Sequence, residues 1–369
     1  MNKRNFMTID LIHFEQRKND IIQDIMKAST EQGFFYVINH GIDEDQIQHM
    51  FKISQDFFDL PESTKTKYPL DVPRNAGYEN FAQLRPQTGL PDLKESMQLA
   101  FHHIPDLWPS EQDIPDFQSK VQRFMQQCNK VSQQLLECFA LGLGFPQDFF
   151  TRSHDISQPD CLNSLRFHHY FDLTNTMFDP HQGIQWPVVD AEDVNDYYRA
   201  GPHTDPDTLT LLFQNNPGHD CLEACQGRTD VTQFVQGTHW LPLCPQKNEL
   251  VCNIGDMLMR WSDDLLRSNF HRVNRPINDL SSRYTIAYFT QANKSAIIQG
   301  RSKYIEPLTA GDFLRQAMER NHQRVKLLID QRQERKRLQI IQQQQDHPTS
   351  SSVSSTSQRP TTLAPVLAI

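Results

Sequence analysis

No run of about 18 apolar residues occurs in the 369-residue chain, so no segment reads as a membrane-crossing helix. The opening residues, Met1-Asn2-Lys3-Arg4-Asn5-Phe6, lack the apolar core of a secretory signal. Positive charge is not in excess: 36 Lys and Arg stand against 45 Asp and Glu, a net charge of −9, which argues against a general nucleic-acid surface. The seven cysteines (128, 138, 161, 221, 225, 244, 252) are odd in number and scattered, which is no disulfide framework. A reduced, cytoplasmic protein is the expectation. No internal repeat is evident. These absences leave a chain with a small-molecule partner, without nucleic acid or membrane, and a monomer by default. Its 37% hydrophobic and 22% charged content suffices for one large core or two small ones.

Taken in order, Met7 to Leu11 reads as a short strand and residues 18–32 as a helix through Ile21, Ile22, Ile25 and Met26. Gly33 to Gly41 is β-rich, and a helix over 44–59 carries Ile47, Met50, Phe51, Phe57 and Phe58. Residues 70–93, rich in Pro, Gly and Asn, read as an ordered loop before strand character at Glu95–Phe101. The longest helix spans about 115–143, where Val121, Phe124, Met125, Cys128, Val131, Leu135 and Phe139 recur at three- and four-residue steps. From Leu162 the pattern becomes short strands, at 162–171, 203–213, 249–254, 268–273 and 283–290, which suggests a sandwich or jelly roll. The class is α+β, with helices supporting the strands from the N-terminal side. A loop at 172–200 is a candidate lid. Residues 313–345 form a basic C-terminal helix with a dense Lys, Arg and Gln surface, the Gln331–Arg337 run reading as a solvated face rather than a nuclear or nucleic-acid signal, and 346–369, rich in Ser and Thr, should be disordered.

The chemistry centres on Gly201-Pro202-His203-Thr204-Asp205, which leads into an apolar β-branched run. On one strand, positions i and i+2 share a face, so His203 and Asp205 would present an imidazole and a carboxylate together. Those are two thirds of a 2-His-1-carboxylate triad, a set that suits non-haem Fe(II) and leaves positions open. Downstream, Phe270-His271-Arg272-Val273 places a histidine in a short β-prone segment. Arg283 and Thr285 share a face of the next strand. A guanidinium there can grip a carboxylate in two parallel hydrogen bonds.

The order His-x-Asp, His, Arg-x-Thr resembles the iron(II)/2-oxoglutarate-dependent dioxygenase superfamily, in its isopenicillin N synthase-like branch. Gly33 to Gly41, Phe57-Phe58-Asp59-Leu60-Pro61 and Asn253-Ile254-Gly255-Asp256 extend the likeness from about residue 7 to 295. The resemblance implies a double-stranded β-helix, a jelly-roll relative, over 156–312, an N-terminal dioxygenase region over 1–155, and iron ligands His203, Asp205 and His271. It implies that Arg283 and Thr285 hold the far carboxylate of 2-oxoglutarate, helped by Tyr170, with His168 where Asn is usual. The implied activity is an Fe(II)- and 2-oxoglutarate-dependent oxygenase consuming O2, with ascorbate as an accessory reductant. Hydroxylation of a small organic molecule, with release of succinate and CO2, is the default outcome; desaturation and ring formation stay open. An oxidase that uses iron without 2-oxoglutarate and a non-catalytic binding protein on this fold remain alternatives. Asn75, Tyr78, Gln98, Phe101, Asp207 and Phe289 are the candidate substrate-pocket residues.

Three features depart from that branch: 68 positions between His203 and His271, the long 172–200 insertion, and Pro206-Asp207 where an aromatic-Gly pair is common. The extra length lies around 219–240 and reads as a hairpin extension. His219, Cys221 and Cys225 lack the second paired set of a zinc site. His102 and His103 read as loop residues.

Overall fold

The computed structural model describes residues 4–88, 90–102, 104, 106–172, 198–215, 221–233, 237–274 and 281–346. The 172–200 loop (from 173 to 197), the start of the hairpin extension with His219, His103 and the tail from 347 lie outside the described residues.

The strands are β1 (Thr8–Asp10), β2 (Phe34–Ile38), β3 (Gly77–Asn80), β4 (Lys94–Ala100), β5 (Ser164–Tyr170), β6 (Ala200–His203), β7 (Leu209–Gln214), β8 (Leu222–Cys225), β9 (Trp240–Pro242), β10 (Leu250–Ile254), β11 (Phe270–Val273), β12 (Arg283–Thr290), β13 (Ile297–Ile298) and β14 (Leu308–Thr309). The α-helices are α1 (Phe14–Glu31), α2 (Glu44–Phe58), α3 (Glu62–Lys65), α4 (Phe117–Gly142), α5 (Asp256–Trp261) and α6 (Ala310–Asp346). A major sheet runs β1-β2-β10-β7-β12-β5-β4-β3, and a minor sheet runs β6-β11-β8-β9. Together they make a jelly-roll core backed by helices.

Strand alternation sorts the major sheet into two faces. Phe167 and Phe213 point to the helical side, where their rings meet Phe117 at 6.1 Å and Phe124 at 5.1 Å. The apolar stripe of α4 is buried against this face, with Val121, Met125, Cys128, Leu135 and Phe139 fully enclosed. Truncating such a ring, as in Phe124→Ala, costs about 3–5 kcal/mol in comparable cores. The opposite face meets the minor sheet through a second cluster that includes Phe34, Tyr36, Tyr170, Val251, Ala200, Leu222 and Val273. The site lies on that inner face.

Two expectations change. Residues 203–213 are not one strand: β6 ends at His203 in the minor sheet and β7 begins at Leu209 in the major one. Pro206, which lacks an N–H, falls in the link that carries the chain between sheets. The 70–93 loop contains β3, which pairs with β4 at Gly77–Gln98 and Glu79–Ser96. Within the described part of the 219–240 extension, β8 and β9 pair antiparallel, with Cys225 opposite Trp240.

Candidate active site

The His203-x-Asp205 pair shares a site for a different reason than strand alternation. His203 is the last residue of β6, opposite His271 of β11 in register. Asp205 sits in the link to β7, and that link is held from below. Backbone N–H groups of Gly255, Asp256 and Met257, at the start of α5, donate to the carbonyls of Thr208, Asp205 and Asp207 at 3.1, 2.7 and 3.0 Å. His154, wholly buried, braces the same link through Thr208 Oγ1 at 2.8 Å. Its other nitrogen meets the Phe150 carbonyl at 2.7 Å, and burial pushes its pKa down to about 4.

Nε2 of His203 and of His271 lie 3.8 and 3.6 Å from Asp205 Oδ1. All three ligand atoms fall within 4.8 Å of one another, the one such group among the described residues. Each side chain is aimed by a second contact. His203 Nδ1 meets the Gly201 carbonyl at 2.7 Å, which requires the proton on Nδ1 and leaves the Nε2 lone pair facing inward. Asp205 Oδ2 accepts from Thr210 Oγ1 at 2.7 Å and Asn253 Nδ2 at 2.8 Å, leaving Oδ1 facing the histidines. The His271 ring packs against Phe34 of β2 at 5.5 Å. Burial drives the pKa of both histidines down, well down for His203, where Arg85 also repels the proton. Neutral imidazoles are the form a metal needs.

Asp207 lines the same cavity but does not join the triad. Its Oδ2 lies 2.9 Å from Thr210 Oγ1, and burial, with Asp205 nearby, holds its carboxyl well above the usual range.

On β7 and β12, behind Tyr170 and His168 of the cavity lining and not themselves part of it, buried donors converge without partners among the described residues. Arg283 and Thr285 of β12 face Tyr170 and His168 of β5, while Thr285 lies opposite Gln214 of β7. Arg283 Nη2 donates to Gln214 Oε1, yet Arg283 Nε and Nη1, Thr285 Oγ1 and Gln214 Nε2 are buried with no hydrogen-bond partner among the described residues. Leaving such groups unpaired costs about 1–3 kcal/mol each. The Arg283 guanidinium lies 5.5 Å from the Tyr170 ring centre. The residue types and their unmet donors fit a carboxylate ligand, just as the triad fits Fe(II).

A cavity of about 550 Å³ opens over the triad. Asn75, Gln98, Asp207 and Phe289 line it, as expected; Tyr78 and Phe101 do not. Tyr78 pairs with Met97, on the helical face of the sheet, and its hydroxyl reaches Glu95 at 2.5 Å. Phe101 follows the same parity and packs against the helical core. His168 also lines the cavity, its Nδ1 3.0 Å from Ser96 Oγ.

Two contributors escaped the sequence reading. The first half of α6 is a wall of the cavity, through Met318, Asn321, Val325, Lys326 and Ile329. Arg324 fastens it by donating to the Pro86 carbonyl at 2.8 Å. The other is a cluster of charged residues, Arg85, Lys94 and Arg166, on the wall beyond Tyr170. The signal for it was parity: Lys94 and Arg166 are in phase with Gln98 and Tyr170 on their strands.

Residues 164–292 match the 2OG-Fe(II) oxygenase superfamily, and residues 8–115 match the family described as non-haem dioxygenase in morphine synthesis N-terminal. A Schizosaccharomyces pombe relative, UPF0676 protein C1494.01, is 32% identical over 305 residues, covering 80% of this chain and 86% of the relative. The 2-oxoglutarate-Fe(II) type oxidoreductase ppzD of Metarhizium majus is 27% identical over 341 residues, covering 82% and 89%. Among solved structures, a full-length Neurospora crassa protein in complex with alpha-KG and thymine superposes with a TM-score of 0.67 at 26% identity, over 89% of this chain and 98% of that one.

Proposed function

The chain belongs to the 2OG-Fe(II) oxygenase superfamily, and on that premise we propose that His203, Asp205 and His271 hold Fe(II) while Arg283, Thr285 and Tyr170 hold 2-oxoglutarate. The protein is a 2-oxoglutarate-dependent dioxygenase acting on a small molecule. The observation that carries the residue assignment is the gathering of three ligand atoms on a cavity that Tyr170 also lines, with a patch of buried donors, partnerless among the described residues, on β7 and β12 beside Tyr170.

When bound, Fe(II) with 2-oxoglutarate and O2 supplies the oxidising chemistry, yielding succinate and CO2 as the small organic substrate is hydroxylated. Everything else is positioning by this chain. Asp205 contributes the negative charge, and Thr210 and Asn253 fix which of its oxygens faces the metal position. Gly201 sets the tautomer of His203. Arg283 and Thr285 satisfy the far carboxylate of the cosubstrate, and Gln214 holds the guanidinium in plane for it. Phe34, the inter-sheet cluster and α6 exclude water from the cavity, so that a substrate C–H is the nearest oxidisable group. All seven cysteines are free thiols, which supports a reducing, cytoplasmic setting. Among the described residues no helix is long and apolar enough to cross a membrane.

The test is release of succinate from 2-oxoglutarate, stimulated by substrate and dependent on added Fe(II). Turnover of a substrate without succinate would instead make this an iron oxidase in which Arg283 holds a substrate carboxylate.

A further inference from the structure

On the cavity wall beyond Tyr170, five ionisable side chains are packed almost out of solvent. Lys94 is 4% exposed, Arg166 6%, Glu79 6% and Asp92 1%, and the Arg85 side chain 13%. Asp92 is fully engaged: it accepts from Arg85 Nε and Nη2 at 2.9 and 2.5 Å and from the Gly201 N–H at 2.9 Å, with Lys94 Nζ 3.0 Å away. One carboxylate thus answers two cations. Arg166 is less well served. Its Nε donates to Gln98 Oε1, and its nearest carboxylate oxygen, on Glu79, is 3.8 Å from Nη1, too far for a hydrogen bond. Both Glu79 oxygens lack a hydrogen-bond partner among the described residues. Among the described residues of the cluster three cations face two carboxylates, one of them poorly placed, with Asp205 of the triad the next acid acting on Arg85 and Arg166, so the cluster itself carries surplus positive charge.

Burying such charge without a matched partner costs several kcal/mol per ion. A ligand anion removes that cost. The cosubstrate cannot supply it: Arg166 is four residues along β5 from Tyr170, the partner of Arg283, or about 13 Å at strand rise. Lys94, by contrast, lies directly opposite Tyr170 in register, beside the clamp. The clamp for the far carboxylate of 2-oxoglutarate and the Arg166 end of this cluster are therefore separate anion sites on one sheet face. The cavity also has apolar lining, with Phe34, Leu212 and Val273 on the sheets and Met318 and Val325 on α6.

We propose that the substrate is a small carboxylic acid, its carboxylate received by Arg166 and its apolar body laid between the sheets under α6 towards the triad. This rests on the iron and cosubstrate assignment above.

The experiment uses the full chain loaded with Fe(II) and 2-oxoglutarate under strict anaerobiosis, so that binding is read without turnover. Calorimetry compares acids with their own amides: phenylacetate and phenylacetamide, indole-3-acetate and indole-3-acetamide, L-proline and L-prolinamide, with thymine as a neutral ring. The expected result is at least one acid binding tenfold or more tighter than its amide and tighter than thymine. Arg166→Gln should then remove most of that preference and Arg166→Lys restore part of it, with circular dichroism confirming that each variant is folded. If no acid outbinds its amide, or if Arg166→Gln leaves the preference intact, the proposal is overturned. Iron content and 2-oxoglutarate binding are measured on the same wild-type sample. Intact values with no acid preference sink this inference alone, whereas failure to bind iron and 2-oxoglutarate sinks the underlying assignment and this inference with it.

Discussion

Asp205 and Asp207 share one hydroxyl. Thr210 Oγ1 lies 2.7 Å from Asp205 Oδ2 and 2.9 Å from Asp207 Oδ2, and it has a single proton to give. It can satisfy both only if one of the carboxyls keeps a proton, and burial, which raises the pKa of Asp207, makes that one Asp207, with Thr210 donating to Asp205. The two carboxyl groups, two residues apart, thereby differ in role: one an anion turned to the histidines, the other a neutral support. Asp207→Asn, which can still donate to Thr210, should therefore keep Fe(II) affinity within about threefold of wild type. A loss comparable with the roughly 10–100-fold typical of removing a supporting partner of a metal ligand would show that Asp207 matters as a charge.

Arg283 should govern the cosubstrate without touching the metal. Arg283→Gln removes two charge-assisted bonds of about 1.5 kcal/mol or more each, so 2-oxoglutarate binding should weaken on the order of 100-fold. Iron content should be unchanged. Equilibrium dialysis with labelled 2-oxoglutarate checks the first and metal analysis the second; an unaltered cosubstrate affinity would remove Arg283 from the site.

Gly255 is where the ligand-bearing link rests on α5. A Cβ at that position would come within 2.1 Å of Asp207 O and Oδ1. Gly255→Ala should push the link outward, destabilise the fold by about 1–3 kcal/mol in denaturant unfolding, and weaken Fe(II) binding at the same time. Loss of stability with normal iron binding would mean that the link tolerates the shift.

Much of this was legible in the sequence, for physical reasons that particular residues make plain. The order of His203, Asp205, His271, Arg283 and Thr285 needed no structure, because ligand chemistry constrains residue type. The α4 stripe was legible because a buried helix must repeat its apolar residues on one side. Pairing His203 with Asp205 by strand alternation reached the right neighbours through the wrong geometry, since the chain changes sheets at Pro206. Alternation was neglected elsewhere: Gln98 and Phe101 are an odd number of residues apart and could not both face the cavity. The cation cluster was hidden because Lys94 and Arg166 in strands look like solvent-facing residues until the neighbouring strands are known. For α6, the mixture of Arg, Gln and Leu carried no sign of which face would be covered.

His154 gives the fold a pH response of known sign. Its folded-state pKa, about 4, lies below the ordinary 6.5, so between those values the unfolded chain binds more protons and folding weakens as pH falls. The contribution is fully present above pH 6.5 and lost through pH 4. From pH 7 to pH 5 it should cost about 2 kcal/mol. His154→Gln, which has no proton to take up there, should show a pH 7-to-5 loss of stability smaller by that amount. Equal losses in both proteins would mean that His154 is not held neutral.

The most direct test of the account is anaerobic Fe(II) titration of the wild-type chain beside Asp205→Ala. The account predicts about one Fe(II) bound per wild-type chain and, with the carboxylate gone, no retention after desalting. Equal iron retention in a folded Asp205→Ala protein would contradict it.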